Sequence, residues 1–177
     1  MSEEHPIADS GTTALDLASA DPQLYRIVDI VLDEKSVVSR SADIEHERKV
    51  AIYDLLDENK FLPIGSNGGP YVLHLSIEEN RLVFDIQLED GTPHGRLVLS
   101  LSPFRKIIKD YFLICESYYE AIKTGAVQQI EAIDMGRRGL HNEGSEILIE
   151  RLKGKIELDF DTARRLFTLI CILHFRG

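Results

Sequence analysis

The chain has few of the residues that commonly carry covalent or redox chemistry. It contains no tryptophan, two cysteines and two methionines among 177 residues. Cys115 and Cys171 lie far apart, and neither has the CxxC or Cys/His spacing of a redox or zinc motif. We therefore expect two buried free thiols, no metal site and no cofactor.

The sequence also lacks a long apolar run and a recognisable leader. Its longest purely apolar stretches fall far short of the roughly 20 residues that cross a bilayer. No basic segment followed by an apolar one opens the chain. The sequence predicts a cytosolic protein that does not enter a membrane.

Positive charge is scarce in the first half of the chain. The net charge is −10, and residues 1–90 hold 19 acidic and 7 basic side chains, whereas residues 91–177 hold 11 and 13. Binding to nucleic acid requires clustered Lys and Arg, so general nucleic-acid binding is excluded, while a local anion site in the second half is not. Residues 1–22 carry five acids and no Lys or Arg, which predicts a disordered tail before a single domain at 23–177.

Periodic apolar residues predict both strands and helices. A short β-branched run predicts a strand at 24–34, and helical spacing predicts a helix at 41–59 with Asp43 as its cap. A glycine-rich loop at 65–70 then precedes three alternating segments within 71–101. These three segments predict an antiparallel meander.

The remaining elements follow the meander. A helix is predicted at 102–125, capped by Ser102, and a second helical region at 127–153, which three glycines interrupt, so that one helix or two are both open. The chain then predicts a strand at 155–160 and a helix that begins near Asp161 and runs through 161–175. Together these elements indicate an α+β fold, with an antiparallel sheet of about four strands packed against a layer of helices.

The segment "DMGRRGLHNEG", residues 134–144, concentrates polar residues between glycines. If the helix continues, Asp134, Arg138, His141 and Ser145 share one face and Asp134 pairs with Arg138. If the helix stops at one of the glycines, freed N–H groups at a new helix start are available to an anion. The competing interpretation is a solvated, polar helix break without a ligand.

Both geometries allow an anion-binding cluster in this part of the chain. Its candidate residues are Arg137, Arg138, His141 and Asn142, with help from Arg105 or Arg164. The arginines would clamp a phosphate or carboxylate, and His141 would donate or accept a proton. No nucleophile or metal partner stands at a readable spacing, so catalytic residues stay unassigned.

Other charged positions are assigned structural roles. His46, between Glu45 and Glu47, is interpreted as part of an exposed helix start rather than a metal ligand. Arg164 and Arg165 stand in the first turns of the last helix, where the dipole disfavours cations, so we expect both to reach acidic partners.

Several long strings resemble one protein family. They are "EHERKVAIYDLLDEN", "GGPYVLHLSI", "LSLSPFRKIIKDYFLICESYYEAI", "IEAIDMGRRGLHNEGSEIL" and "DFDTARRLF". Together they resemble uncharacterised protein family 0262 over roughly residues 24–177. The resemblance implies a single-domain, intracellular bacterial protein and supplies no catalytic residues.

Two functional hypotheses follow from the sequence. The first is a non-enzymatic cytosolic binding or regulatory module whose partner is a protein or a small anionic ligand. The alternative is an enzyme or sensor for a phosphorylated small molecule that uses the Arg/His cluster. A homodimer, formed through the other sheet face or the aromatic edge of the helix at 103–123, is a third expectation.

Overall fold

The computed structural model describes residues 16–33 and 42–174, which fold into six strands and four helices. In chain order these are β1 (Ile27–Leu32), α1 (Ala42–Asp57), β2 (Phe61–Pro63), β3 (Tyr71–Glu78), β4 (Arg81–Leu88), β5 (Pro93–Ser100), α2 (Arg105–Thr124), α3 (Val127–Leu152), β6 (Ile156–Leu158) and α4 (Phe160–His174). The predicted α+β class is confirmed.

The larger sheet has the strand order β1-β3-β4-β5. β3, β4 and β5 form the predicted antiparallel meander. β1 runs parallel to β3, so the sheet is mixed rather than antiparallel throughout. The parallel pairing arises because the chain crosses over through α1 before it returns beside β1.

A second, two-stranded sheet pairs β2 antiparallel with β6. The strand predicted at 155–160 is confirmed as β6, but it does not extend the larger sheet. Strand β2 was missed because three residues carry no readable period. Since β2 follows α1 and β6 precedes α4, this small sheet ties the end of α1 to the start of α4. The N–H of Lys60 adds a hydrogen bond of 3.0 Å to Oγ1 of Thr162.

The core lies between the larger sheet and the helices, and α4 is its most deeply buried helix. Nine residues of α4 are buried, among them Leu166 and Phe167 with no exposed surface. From the sheet, Leu73, Leu75 and Phe84 are likewise fully buried. Burying one such side chain contributes about 1.5–3 kcal/mol, so this core is a large source of stability.

Hydrogen bonds anchor the end of α1 to β1 and α4. The buried amide of Asn59 accepts from the N–H of Ile27 at 2.7 Å and donates to the carbonyl oxygens of Ile27 and Leu55 at 2.8 Å each. Arg165 donates to the carbonyl oxygen of Glu58 at 2.7 Å, so its partner is the backbone and not the expected acidic side chain. These bonds hold α1 beside α4.

Helix α3 is continuous, so of the two possibilities that the sequence left open, one helix through the glycines is the one observed. Each glycine costs about 1 kcal/mol relative to alanine, and tertiary packing outweighs that cost. A Cβ at Gly144 would collide with the ring of Phe167 in α4, and one at Gly136 would lie 2.6 Å from a methyl group of Ile114 in α2. Glycine at 144 therefore lets α3 and α4 approach closely, whereas Gly139 has open space around it.

Two predicted helix caps are wrong. Asp43 lies inside the first turn of α1, not before it. Ser102 begins a 3-10 turn, Ser102–Phe104, and α2 starts only at Arg105 without a side-chain cap. Such 3-10 turns are frequent at the N-terminus of an α-helix, and here the turn takes the place of the predicted cap. The first turn of α4 is capped by Asp159, whose Oδ1 accepts from the N–H of Thr162 at 3.2 Å.

The structure describes residues 16–22 of the segment that the sequence predicts to be a tail. Residues 16–22 form turns, and Leu17 and Ala20 within them are partly buried against the core. Residues 1–15 lie outside the part of the chain that the structure describes.

Candidate functional site

An open cleft of about 620 Å³ lies among the helices. Residues of α1, α3 and α4 form most of its lining, and α2 contributes Tyr118 and Tyr119. Ligand-binding clefts commonly have volumes of about 300–1,000 Å³, so this one is large enough for a small organic molecule.

The inward face of α3 changes from apolar to polar where it reaches the cleft. Near the end of the helix this face carries Leu148 and Leu152, both fully buried. Towards the start of the helix, the same face carries His141, Arg137 and Asp134 at helical spacing. All three polar side chains are only partly exposed. Burying polar groups costs free energy unless they form hydrogen bonds or ion pairs. The partners of these three side chains therefore determine which groups stay available to a ligand.

Glu47 of α1 is the central acceptor of the site. Its Oε2 accepts a hydrogen bond from the hydroxyl of Tyr111 at 2.8 Å, and its Oε1 accepts from the hydroxyl of Tyr119 at 2.8 Å and from Arg137 at 3.2 Å. The side chain is 19% exposed. We name Glu47, Tyr111, Tyr119 and Arg137 the Glu47 network. It joins α1 to α2 and α3 through contacts between residues 64 to 90 positions apart.

The hydroxyls of Tyr111 and Tyr119 and the thiol of Cys115, all close to Glu47, stay protonated at neutral pH. Burial first, and then the charge of Glu47, raises the pKa of Tyr111 far above its ordinary value; burial and the hydrogen bond to Glu47 do the same for Tyr119. Burial also raises the pKa of the Cys115 thiol to about 11. Both tyrosines therefore donate to Glu47, and Cys115 is a poor nucleophile at neutral pH. The predicted buried free thiols at 115 and 171 are confirmed.

Arg137 is fully engaged by the protein itself. It lies 3.2 Å from Glu47 and 2.9 Å from Asp134, and its guanidinium carbon sits 4.5 Å from the centre of the Tyr118 ring. Burial lowers the pKa of Arg137, but the hydrogen bond to Asp134 and the charge of Glu47 outweigh that effect and raise it overall. Arg137 thus stays charged, and its ion pair helps to hold Glu47 in place.

His141 lines the cleft as a neutral ring at physiological pH. Its ring centre lies 4.8 Å from that of Tyr111 and 6.1 Å from that of Phe167. Burial, the largest cause, lowers the pKa of His141 to about 4 although Glu47 opposes the shift. A neutral imidazole offers a hydrogen-bond acceptor to a ligand but no positive charge.

The rim of the cleft carries the more available charges. Arg138 contacts Asp134 at 3.0 Å, which confirms the predicted pair, yet 77% of its side chain is exposed. Arg164 is exposed and Asp54 half-buried, and neither side chain has a hydrogen bond or ion pair within residues 16–33 and 42–174. The acidic partner expected for Arg164 is therefore absent from the described residues.

The structure brings together five of the six residues of the predicted anion-binding cluster. These five line one cleft: Arg137, Arg138, His141, Asn142 and Arg164. Arg105 does not line this cleft, because it is the first residue of α2 and is exposed elsewhere on the surface. A helix start within 134–144 is also excluded as the anion site, because α3 runs through this segment without a break.

Sequence reasoning missed the two carboxylates of the cleft, Glu47 and Asp54. Glu47 was assigned to an exposed helix start, but it is mostly buried against α2 and α3. A usable signal was present: residues 47, 50, 51 and 54 share one face of α1 at helical spacing, and this face mixes apolar and acidic residues. His46 lies at the cleft and is exposed, as expected.

Among residues 16–33 and 42–174, no group of three or more His, Cys, Asp or Glu side chains is arranged to hold a metal ion. In the same residues, no helix has both the length and the apolar character that a membrane span needs.

These features define a small α+β domain built around a cleft lined by arginines. The chain belongs to the Uncharacterised protein family (UPF0262), whose model matches residues 24–176, so the resemblance seen in the sequence is confirmed. It is 58% identical over 159 residues to a UPF0262 protein of Nitrobacter winogradskyi, which covers 90% of this chain and 95% of that protein.

Two further relatives are similarly close. A UPF0262 protein of Bradyrhizobium sp. is 61% identical over 158 residues, covering 89% of this chain and 94% of its own length. One from Agrobacterium fabrum is 59% identical over 161 residues, covering 91% of this chain and all of its own length. No solved structure matches the chain.

Proposed function

We propose that this protein is a non-enzymatic binding module whose cleft holds a small organic anion. One observation carries the proposal: four arginines meet in one cleft with two carboxylates, on a chain whose net charge is −10. The arginines are Arg137, Arg138, Arg164 and Arg165, and the carboxylates are Glu47 and Asp54. A local excess of arginine in an otherwise acidic protein attracts phosphate or carboxylate groups.

The roles of the cleft residues favour binding over catalysis. Glu47 is occupied by three donors and the hydroxyls of Tyr111 and Tyr119 both point to it, so none of these groups is available to transfer a proton to a ligand. His141 is neutral and held between aromatic rings, which suits an acceptor that orients a ligand. A proton-transferring site would instead place an unoccupied acid or base beside the reacting group.

Thermal unfolding in the presence of candidate anions tests this proposal. A ligand at about a hundredfold its dissociation constant adds about 2.7 kcal/mol, which raises the melting temperature by roughly 5–10 °C in a domain of this size. Phosphates, nucleotides and small carboxylates form the panel.

Two matched variants assign the effect to the cleft. Arg164→Gln removes an exposed arginine that lines the cleft, and Arg105→Gln removes one that does not. We expect a stabilising anion to lose its effect on Arg164→Gln and to keep it on Arg105→Gln. Equal responses of the two variants, or no stabilisation by any anion, would count against an anion-binding cleft.

The proposal places the protein in the cytosol, and its two free, buried thiols are consistent with a reducing compartment.

The homodimer stays a prediction. Light scattering tests it, and a monomer at high protein concentration would contradict it.

A further inference from the structure

Within the part of the chain that the structure describes, two side chains of opposite charge and without a partner lie in the cleft. Arg164 of α4 and Asp54 of α1 both line it, and neither side chain forms an ion pair or hydrogen bond with any other described residue. The other charges behave differently: Arg137 and Glu47 pair with each other, and Asp134 pairs with both Arg137 and Arg138. Arg165, the remaining arginine of the cleft, donates to the carbonyl oxygen of Glu58. Arg164 and Asp54 are thus the arginine and the carboxylate of the cleft that lack any such contact with the described residues.

The surrounding groups extend each charge into a subsite. Asn142 and the exposed guanidinium of Arg138 line the same cleft as Arg164, so an anion bound there has several donors within the cleft. On α1, Val50 and Ala51 lie one turn before Asp54 on the same helical face, which gives a ligand a short apolar wall that leads to the carboxylate.

A ligand that carried only negative charge would satisfy one subsite and disturb the other. It would cover the carboxylate of Asp54 with apolar atoms and remove water from it, and an unpaired charge that loses water is costly. A ligand with a positive group at that point would turn the same carboxylate into a favourable contact. Asp54 would in this way select among anions.

We propose that the cleft binds a zwitterion, with the ligand's anionic group at Arg164 and its ammonium group at Asp54. This inference rests on the proposed anion-binding function and narrows its ligand class to small amine-bearing phosphates or carboxylates.

Isosteric probe pairs test the proposal in solution. 2-Aminoethyl phosphate and propyl phosphate differ by an ammonium in place of a methyl group, and 4-aminobutanoate and pentanoate form the matching carboxylate pair. Dissociation constants are measured by titration calorimetry or by NMR shift changes. We expect the amine-bearing member of at least one pair to bind about fivefold or more tightly than its isostere, the gain of one partly exposed ion pair. The pair that shows the preference identifies the anionic group.

Charge-matched variants separate the two subsites. Asp54→Asn is expected to abolish the preference for the amine while leaving the binding of propyl phosphate and pentanoate intact, and Asp57→Asn, an exposed change one turn further along α1, to retain the preference. Arg164→Gln is expected to weaken both members of a pair. Since Asp54 has no side-chain partner among the described residues, Asp54→Asn should fold normally, which its melting temperature checks.

The outcomes distinguish the zwitterion proposal from the anion-binding function on which it rests. If isosteres bind the wild-type protein equally well, or if Asp54→Asn keeps the preference, the zwitterion is overturned while the anion-binding cleft stands. If no probe of either pair binds even at high millimolar concentration, the anion-binding function fails and the zwitterion with it.

Discussion

Replacing Glu47 by alanine should destabilise the fold by about 3 kcal/mol. A hydrogen bond to a charged group contributes about 1.5–3 kcal/mol, and Glu47 accepts three such bonds. The full sum is not expected, because Glu47 and Tyr119 line an open cleft where water can hydrate the freed hydroxyl of Tyr119. In a domain of this size, the loss corresponds to a fall of about 6–12 °C in melting temperature.

A double-mutant cycle isolates the ion pair between Glu47 and Arg137. The side chains of Glu47 and Arg137 are 19% and 25% exposed, so their ion pair is intermediate between a surface pair and a buried one. A surface pair contributes at most about 1 kcal/mol, whereas disrupting a buried pair costs about 3–5 kcal/mol. We therefore expect a coupling energy of about 1.5 kcal/mol between Glu47→Ala and Arg137→Gln. Urea unfolding followed by circular dichroism measures all four proteins.

The control for the cycle is Glu146→Ala, which removes an exposed carboxylate of α3 without a partner among the described residues. It should change the free energy of unfolding by less than about 0.5 kcal/mol. The reasoning is refuted if Glu47→Ala costs less than about 1 kcal/mol, or if the coupling energy is indistinguishable from zero.

Two further predictions concern α3. Burial holds the pKa of His141 at about 4 in the folded chain, below its ordinary value of 6.5, so the unfolded chain binds more protons between these values. Stability should thus be complete above about pH 6.5 and fall by up to about 3 kcal/mol as the pH drops through 4. Urea titrations should show a shallower fall for His141→Gln but not for His46→Gln; parallel curves would contradict the assignment. Thermal melts should show that Gly144→Ala destabilises by more than about 2 kcal/mol through its clash with α4, whereas Gly139→Ala, in open space, stabilises by up to about 1 kcal/mol. Equal effects at both glycines would mean that close helix packing is not what requires Gly144.

Part of the fold could be predicted because its signals are local. The meander alternates apolar and polar residues over three successive strands, and α2 repeats its apolar residues at helical spacing, so both were correctly predicted. The start of α2 was misplaced, because a 3-10 turn and an α-helix look alike in the sequence near Ser102. Strand β2 was missed because its three residues show no readable period, and it becomes a strand only by pairing with β6, nearly a hundred residues away.

Only the part of the candidate site that lies on α3 drew attention in the sequence. Arg137, Arg138, His141 and Asn142 stand within six residues of one another, so composition alone drew attention to them. Glu47 and Asp54 stand about 80–90 residues earlier, and only the packing of α1 beside α4 brings them to the same cleft. Arg105 was included because it is basic, and charge by itself carries no information about position.

The sequence by itself determined the α+β class, the places of nearly all helices and strands, the family, and the concentration of arginines in an acidic chain. These properties follow from local periodicity and composition, which record that a face is buried without recording what covers it. Tertiary structure decided that α3 passes unbroken through its glycines, since the space at Gly144 is taken by the ring of Phe167. It also decided that Glu47 holds Arg137, and that Asp54 faces the same cleft as Arg164. Such contacts depend on which helices become neighbours, and long-range packing alone settles that.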